Sequence, residues 1–173
     1  MRQRSNDVAD LTPSERALAR IAALSRGEEE LDLAALLRLP YQLLVERLHE
    51  DLAARGFPDI RVTHGKNILA HVDKRGVRIV DLAEAAQLTK QSTAELVLYL
   101  EQRGYVTRTD DPLDGRAKLI HLTDRGVAAH GMASTIIQEI SDEWAECMGP
   151  DSFERLLVLL RQLIRSLLRE RGD

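Results

Sequence analysis

A cluster of loop formers, Asp110-Asp111-Pro112-Leu113-Asp114-Gly115, sits between two short strand-like runs, Val106-Thr107-Arg108 and Lys118-Leu119-Ile120-His121-Leu122. Asp, Pro and Gly favour tight turns, while β-branched and apolar runs bounded by them favour strands. The segment therefore reads as a two-stranded hairpin with a polar tip. Nearly everything around it has helical spacing. The fold class is thus mainly α with a small β-hairpin wing (α+β).

The stretch just before the hairpin is the informative one. Asp81-Leu82-Ala83-Glu84 has capping-box spacing and opens a brief helix to Gln87. The Leu88-Thr89-Lys90 turn follows, and a second helix runs to Arg103, closed by Gly104. In that helix Thr93, Leu96, Val97 and Leu100 recur at i, i+3, i+4, i+7 and face a core. Gln91, Ala94, Glu95 and Leu98 share the opposite face, with Lys90 and Ser92 at the N-terminal turn. Short helix, turn, helix and hairpin in this order make a helix-turn-helix followed by a wing.

A helix that enters a major groove needs this arrangement, a fixed apolar back and a polar front. Gln reads adenine bidentately, Glu accepts from cytosine N4, and Ser or Thr bonds phosphate or base. Free N–H groups in the first turn favour a phosphate. The ordinary alternative, Gln91, Ser92 and Glu95 as solvent-facing residues of an amphipathic helix, stays open on that helix alone. The hairpin shifts the balance. Arg116 just past its turn can enter a narrow minor groove, and the Asp114 carboxylate can orient the guanidinium through a bidentate pair. Arg108 and Lys118 on the arms add phosphate contacts. The competing reading of Asp114 and Arg116 is a surface ion pair.

Charge is distributed to match. Residues 1–60 carry a net -3, residues 61–126 a net +2 and residues 127–173 a net -3, within an overall -4. Only the middle third is electropositive, so a nucleic acid would be held there.

The flanks are helical. Thr12-Pro13-Ser14-Glu15 begins one helix, which Gly27 closes. Asp32 to Arg55 carries Leu33, Leu36, Leu37, Tyr41, Leu44, Val45, Leu48 and Leu52, interrupted by Pro40. This is either a kinked helix or two helices, since Pro removes a helical hydrogen bond. A short helix spans about Thr63 to Asp73, with Ile68, Leu69 and Val72 inward. Two helices follow the hairpin, broken near Gly149-Pro150-Asp151. The last carries Phe153, Leu156, Leu157, Leu160, Leu163, Ile164 and Leu167. Leucine stripes this wide cannot all be buried on one small winged core, which points to a subunit interface.

Several classes are excluded or unsupported. No stretch approaches the ~18 apolar residues of a membrane span, and the start lacks a secretory signal. A single cysteine, Cys147, permits no intrachain disulfide, so a reducing, cytoplasmic setting is expected. Aromatics are 3%, too few for a base-stacking platform. His49, His64, His71, His121 and His130 show no metal-ligand spacing. His64 and His71, seven apart, read as core or surface histidines rather than pocket residues. Cys147 reads as an inert, buried or interface thiol, and Trp144 and Met148 as core or interface. No catalytic constellation, metal site or cofactor motif is present, so no enzyme activity is expected.

The residues carry a resemblance. Thr89-Lys90-Gln91-Ser92, Leu96-Val97 to Leu100-Glu101, Gly104-Tyr105-Val106, the wing Asp110-Asp111-Pro112-x-Asp114-x-Arg116-Ala117-Lys118 and Leu122-Thr123-Asp124-Arg125-Gly126 resemble the MarR family of winged-helix transcriptional regulators. The match covers about residues 78–126. It implies an obligate homodimer on a pseudo-palindrome of double-stranded DNA, with one recognition helix per major-groove segment and each wing in a flanking minor groove. It places Lys90, Gln91, Ser92 and Glu95 on the recognition helix and Asp114 and Arg116 on the wing tip. It further implies a repressor released by a small aromatic or apolar anionic effector. The sequence departs from the family at Glu95, where many relatives place Arg. It also departs at Leu98 and Tyr99, where polar residues are common. These two are read as facing a neighbouring helix or a ligand cleft.

The expected organisation is an N-terminal extension at 1–30, a dimerisation region at 31–60, a DNA-binding domain at 61–126 and dimerisation helices at 127–173. Two rivals remain: a winged-helix module that binds protein, and a redox sensor acting through Cys147.

Overall fold

The computed structural model describes residues 31–73 and 75–169. The helix expected between Thr12 and Gly27 lies outside the described residues. Among the described residues there are six α-helices and a small antiparallel sheet, in the order α1 (Leu33–Ala54), α2 (Val62–Asn67), a 3-10 turn (Leu69–His71), β1 (Val77–Arg78), α3 (Ile79–Ala85), α4 (Lys90–Gln102), β2 (Val106–Asp111), β3 (Asp114–Leu122), α5 (Asp124–Met148) and α6 (Pro150–Arg169). The chain divides into two compact units, Met1–Gln42 and Leu43–Asp173. Of the first, only the start of α1 is described.

Helix α1 is continuous through Pro40, which settles the choice between one helix and two. Its first turn is capped by Asp32, whose carboxylate accepts from the Ala35 N–H at 2.7 Å. It ends where Gly56 takes φ +93 and the Phe57 N–H donates to the Leu52 carbonyl. Arg47 then forks onto Glu143, and Arg55 onto Glu139, so two charge-assisted pairs link α1 to α5.

The expected Thr63–Asp73 helix is shorter and broken. The α-helical part stops at Asn67, Ile68 adopts φ -120 and ψ -66, and a single 3-10 turn follows. The inward residues are as read: Ile68, Leu69 and Val72 are all buried. The break rotates the chain so that Ile68 and Leu69, adjacent in sequence, both reach the core.

Helix α3 starts three residues before the capping box predicts, with Arg78 rather than Asp81 as its N-cap. Asp81 lies in its first turn. The reason is a third strand that the sequence did not disclose. Val77 and Arg78 pair with Ile120 and Leu119 of β3, so the sheet order is β1-β3-β2. A strand of two residues has no periodicity to read. The sheet holds Arg78 extended, and the helix begins directly after it.

The hairpin strands are longer than expected, and the turn is correspondingly tighter. Pairing extends from Val106↔Leu122 to Asp111↔Asp114, with a bulge between Asp110 and Asp111. Only Pro112 and Leu113 lie outside the strands. Helix α5 follows at once. Thr123 caps it by accepting from the Gly126 N–H at 3.1 Å and donating to the Gly104 carbonyl.

The core is a single cluster. Leu48 and Leu52 of α1, Ile68, Leu82 of α3, Val97 and Leu100 of α4, Tyr105, Ile120 of β3, and Ile136 and Ile140 of α5 meet there. Phe153 of helix α6 is buried as well, outside that cluster. Leu156, Leu159, Leu163, Ile164, Leu167 and Leu168 stand exposed along the rest of α6.

Candidate nucleic-acid interface

Helix α4 is fixed by its back and presented by its cap. Thr93, Val97 and Leu100 are fully buried and Leu96 half-buried, as the spacing predicts. Thr89 caps the helix, its hydroxyl accepting from the Ser92 N–H and donating to Ser92 Oγ. The Thr93 hydroxyl donates to the Thr89 carbonyl at 3.0 Å. Lys90, Gln91, Glu95 and Leu98 are exposed. The Gln91 amide donates to the Glu95 carboxylate at 3.2 Å. Two of the candidate base readers are therefore already joined to each other.

The turn before α4 carries strain. Gln87 adopts φ +55, the left-handed region, and the Leu88 N–H donates back to the Ala83 carbonyl. This reverses the chain between the two helices, at a position where glycine is the usual residue.

A cleft of about 410 Å³ opens between the start of α4 and the wing. Lys90, Arg108, Asp114, Arg116 and Lys118 line it together with Arg78. Five of the eight candidate residues are thus brought together around one concave, cationic surface. Gln91, Ser92 and Glu95 lie outside its lining, on the first turns of α4.

Two details differ from the sequence reading. Asp114 does not hold the Arg116 guanidinium; its carboxylate accepts from the Arg116 backbone N–H at 3.1 Å. At this spacing the Asx-type turn is closer to hand than the side-chain fork. The Arg116 side chain has no carboxylate partner among the described residues and is exposed. Arg108 and Lys118 are instead engaged, Arg108 with Glu101 at 3.3 Å and Lys118 with Asp110 at 2.5 Å.

Sequence reasoning missed Arg78. It lies in a run whose only legible signal was the capping box after it. In the fold its guanidinium reaches Asp111, which is 5% exposed. The Leu113 N–H and the guanidinium hold the Asp111 carboxyl below its usual range.

The remaining residues resolve as follows. Tyr99 is half-buried, donates its hydroxyl to the Asp59 carbonyl and carries Arg103 over its ring at 3.6 Å. Leu98 is exposed rather than packed on a neighbouring helix. His64 is buried and His71 exposed, so they share no face. Cys147 is exposed in the chain, not buried, because it falls on an outward position at the end of α5. Trp144 packs on the core, while Met148 is exposed. Among the described residues no acidic, His or Cys cluster could hold a metal, and no helix is long and apolar enough to cross a membrane.

A capped helix-turn-helix, a three-stranded sheet and a projecting hairpin define a winged helix-turn-helix. The MarR family model matches residues 66–117. By sequence the chain is 30% identical over 109 residues to the transcriptional regulator HosA of Escherichia coli O111:H-, covering 63% of this chain and 81% of that one. By structure it is similar to MepR, a transcription regulator of the Staphylococcus aureus multidrug efflux pump MepA. The TM-score is 0.63 at 22% identity, over 79% of this chain and 99% of that one. MepR in a DNA complex gives a TM-score of 0.62 at 22% identity, over the same shares, 79% and 99%. At such identity the structural likeness shows the fold. The chain belongs to the MarR family of winged-helix transcriptional regulators. Its relatives are regulators, not enzymes.

Proposed function

We propose that the protein is a homodimeric, sequence-specific regulator of transcription that binds double-stranded DNA and acts as a repressor. The observation that carries this is the cleft where Lys90, Arg108, Arg116 and Lys118 converge from α4 and the wing. In this reading α4 enters the major groove with Lys90, Gln91, Ser92 and Glu95 forward. Arg116, exposed and without an acidic partner among the described residues, enters the adjacent minor groove. Residues 61–126 form the DNA-binding domain. MepR, a neighbour with the same fold, has been solved with DNA.

The dimer reading rests on α6. Its row of exposed leucines and isoleucine is too long and too apolar to be left to water. A second copy of the chain covers it, with residues 31–60 and 127–173 supplying the interface.

The effector reading rests on a second cavity of about 240 Å³. Leu48, Leu52, Ile60 and Ile137 give it apolar walls, and Arg61 and Lys66 give it cations. That is near the small end of ligand pockets and suits a single-ring, apolar or aromatic anion. Such a ligand releases DNA only through tighter binding to the DNA-incompetent arrangement.

Selection of bound fragments from random duplex DNA tests the whole reading, followed by anisotropy titrations. A palindromic motif is expected, with affinity reduced in Arg116→Ala. Unchanged affinity and salt slope in that variant would favour a protein-binding module instead.

A further inference from the structure

The wing has a charge problem. Its tip carries three carboxylates, Asp110, Asp111 and Asp114, beside one arginine, Arg116. A hairpin so acidic would be repelled by the phosphates flanking a minor groove. Lys118 answers Asp110 from within the hairpin. Asp114 faces its carboxylate to the Arg116 backbone N–H. Asp111 is the buried one, and its partner comes from outside the hairpin. Its Oδ1 accepts from the Leu113 N–H at 2.8 Å, which shapes the two-residue turn. Its Oδ2 accepts from Arg78 Nε at 2.6 Å and lies 2.5 Å from Nη2.

Arg78 is also the N-cap of α3 and is paired to Leu119 in the sheet. Because β3 lies between β1 and β2, the guanidinium crosses a strand to reach Asp111. One side chain therefore joins the base of the helix-turn-helix to the tip of the wing.

We propose that Arg78 is a positioning residue for DNA binding, acting through Asp111: it locks the Pro112–Leu113 turn and cancels the Asp111 charge, which sets where Arg116 enters the minor groove. This rests on the DNA-binding reading above. The competing role is a direct phosphate contact, since Arg78 also lines the cationic cleft.

The test is a double-mutant cycle with the full chain and duplexes taken from the selection, varied between A·T-rich and G·C-rich flanks. Arg78→Met weakens binding about tenfold. The loss falls on the preference for A·T flanks, while the base preference of the central half-site persists. In an Asp111→Asn background, the further change Arg78→Met costs less than about twofold, because the charge it cancels is gone. Arg78→Met itself melts lower, because it leaves the buried Asp111 carboxylate without its guanidinium, whereas the Arg78→Met, Asp111→Asn double variant melts near the parent.

Equal losses in both backgrounds, with a salt slope lower by about one, would overturn the proposal in favour of a phosphate contact. A loss that is uniform on all flanks and persists in the double variant would overturn it in favour of a merely structural role. An unaffected Arg78→Met alongside a weakened Arg116→Ala would refute this inference and leave the DNA reading standing. A parent protein that binds no duplex would remove both.

Discussion

A Cβ on Gly126 would stand 2.0 Å from the carbonyl oxygen of Tyr105. The first turn of α5 is laid directly on the backbone that leads into the wing, and the Thr123 N–H bonds the same carbonyl at 3.1 Å. Gly126→Ala is therefore expected to lower stability by about 1–3 kcal/mol, because backbone, unlike a flexible side chain, cannot yield cheaply. Denaturant melts of the two proteins measure it. Equal midpoints would mean the approach is looser than described.

The αL residue of the helix-turn-helix predicts the opposite sign. Gln87 holds φ +55 with a side chain attached, which costs an L-residue about 1–2 kcal/mol relative to the right-handed region. Gln87→Gly removes that cost and raises stability by about 1 kcal/mol, partly offset by backbone entropy. A lowered melting temperature in this variant would contradict the geometry of the turn.

Two histidines cap α2 as acceptors. His49 Nε2 accepts from the Val62 N–H, and His64 Nδ1 from the Arg61 N–H, both at 3.1 Å. Burial, and then the neighbouring Arg61 charge, push both rings below their ordinary value. The unfolded chain therefore binds protons that the folded chain refuses. Their contribution is complete above about pH 6.5 and is lost as pH falls below it towards the lowered folded values. Stability measured from pH 7.5 to 5 should decline. A His49→Gln, His64→Asn variant, whose amides still accept, should show a flatter profile; an unaltered slope would assign the effect elsewhere.

The proposed recognition role of α4 makes a prediction about information rather than strength. Glu95 is exposed and held by the Gln91 amide. Glu95→Ala should relax base preference at one position per half-site and leave affinity for other sequences little changed. Repeating the binding-site selection with the variant decides it, and an identical motif would show that the helix is turned otherwise.

The apolar face of α6 can be tested by charge. Leu159→Glu with Leu163→Glu replaces two exposed leucines and removes nothing from the core. The pair should shift sedimentation from dimer to monomer and weaken DNA binding, since half-sites are then engaged singly. A monomeric parent would dismiss the homodimer directly.

Much of this fold was legible because local signals agreed with each other. Thr89, the 3.6-residue spacing of Thr93, Val97 and Leu100, and Gly104 at φ +73 mark both ends and the buried side of α4 without reference to the rest of the chain. The same holds for Thr123 and Gly126, and for Pro150 at the start of α6. What escaped depends on pairing between distant segments. β1 is two residues long and exists only because β3 accepts it. Asp110, Asp111 and Asp114 are ordinary turn residues by composition, and only the pairing of β2 with β3 draws them into strands. The site divides in the same way. Lys90, Arg108, Asp114, Arg116 and Lys118, singled out by type and spacing, line one cleft, whereas placing Arg78 there required knowing that it lies across the sheet from Asp111.

The pairs Arg108–Glu101 and Lys118–Asp110 have a consequence for how this surface meets a polyanion. Under the proposed reading, a phosphate arriving at either pair would have to displace a tethered carboxylate. Glu101 and Asp110 would then act as internal competitors, damping indiscriminate adhesion to any long acidic polymer and favouring engagement where groove shape and base edges reward the exchange.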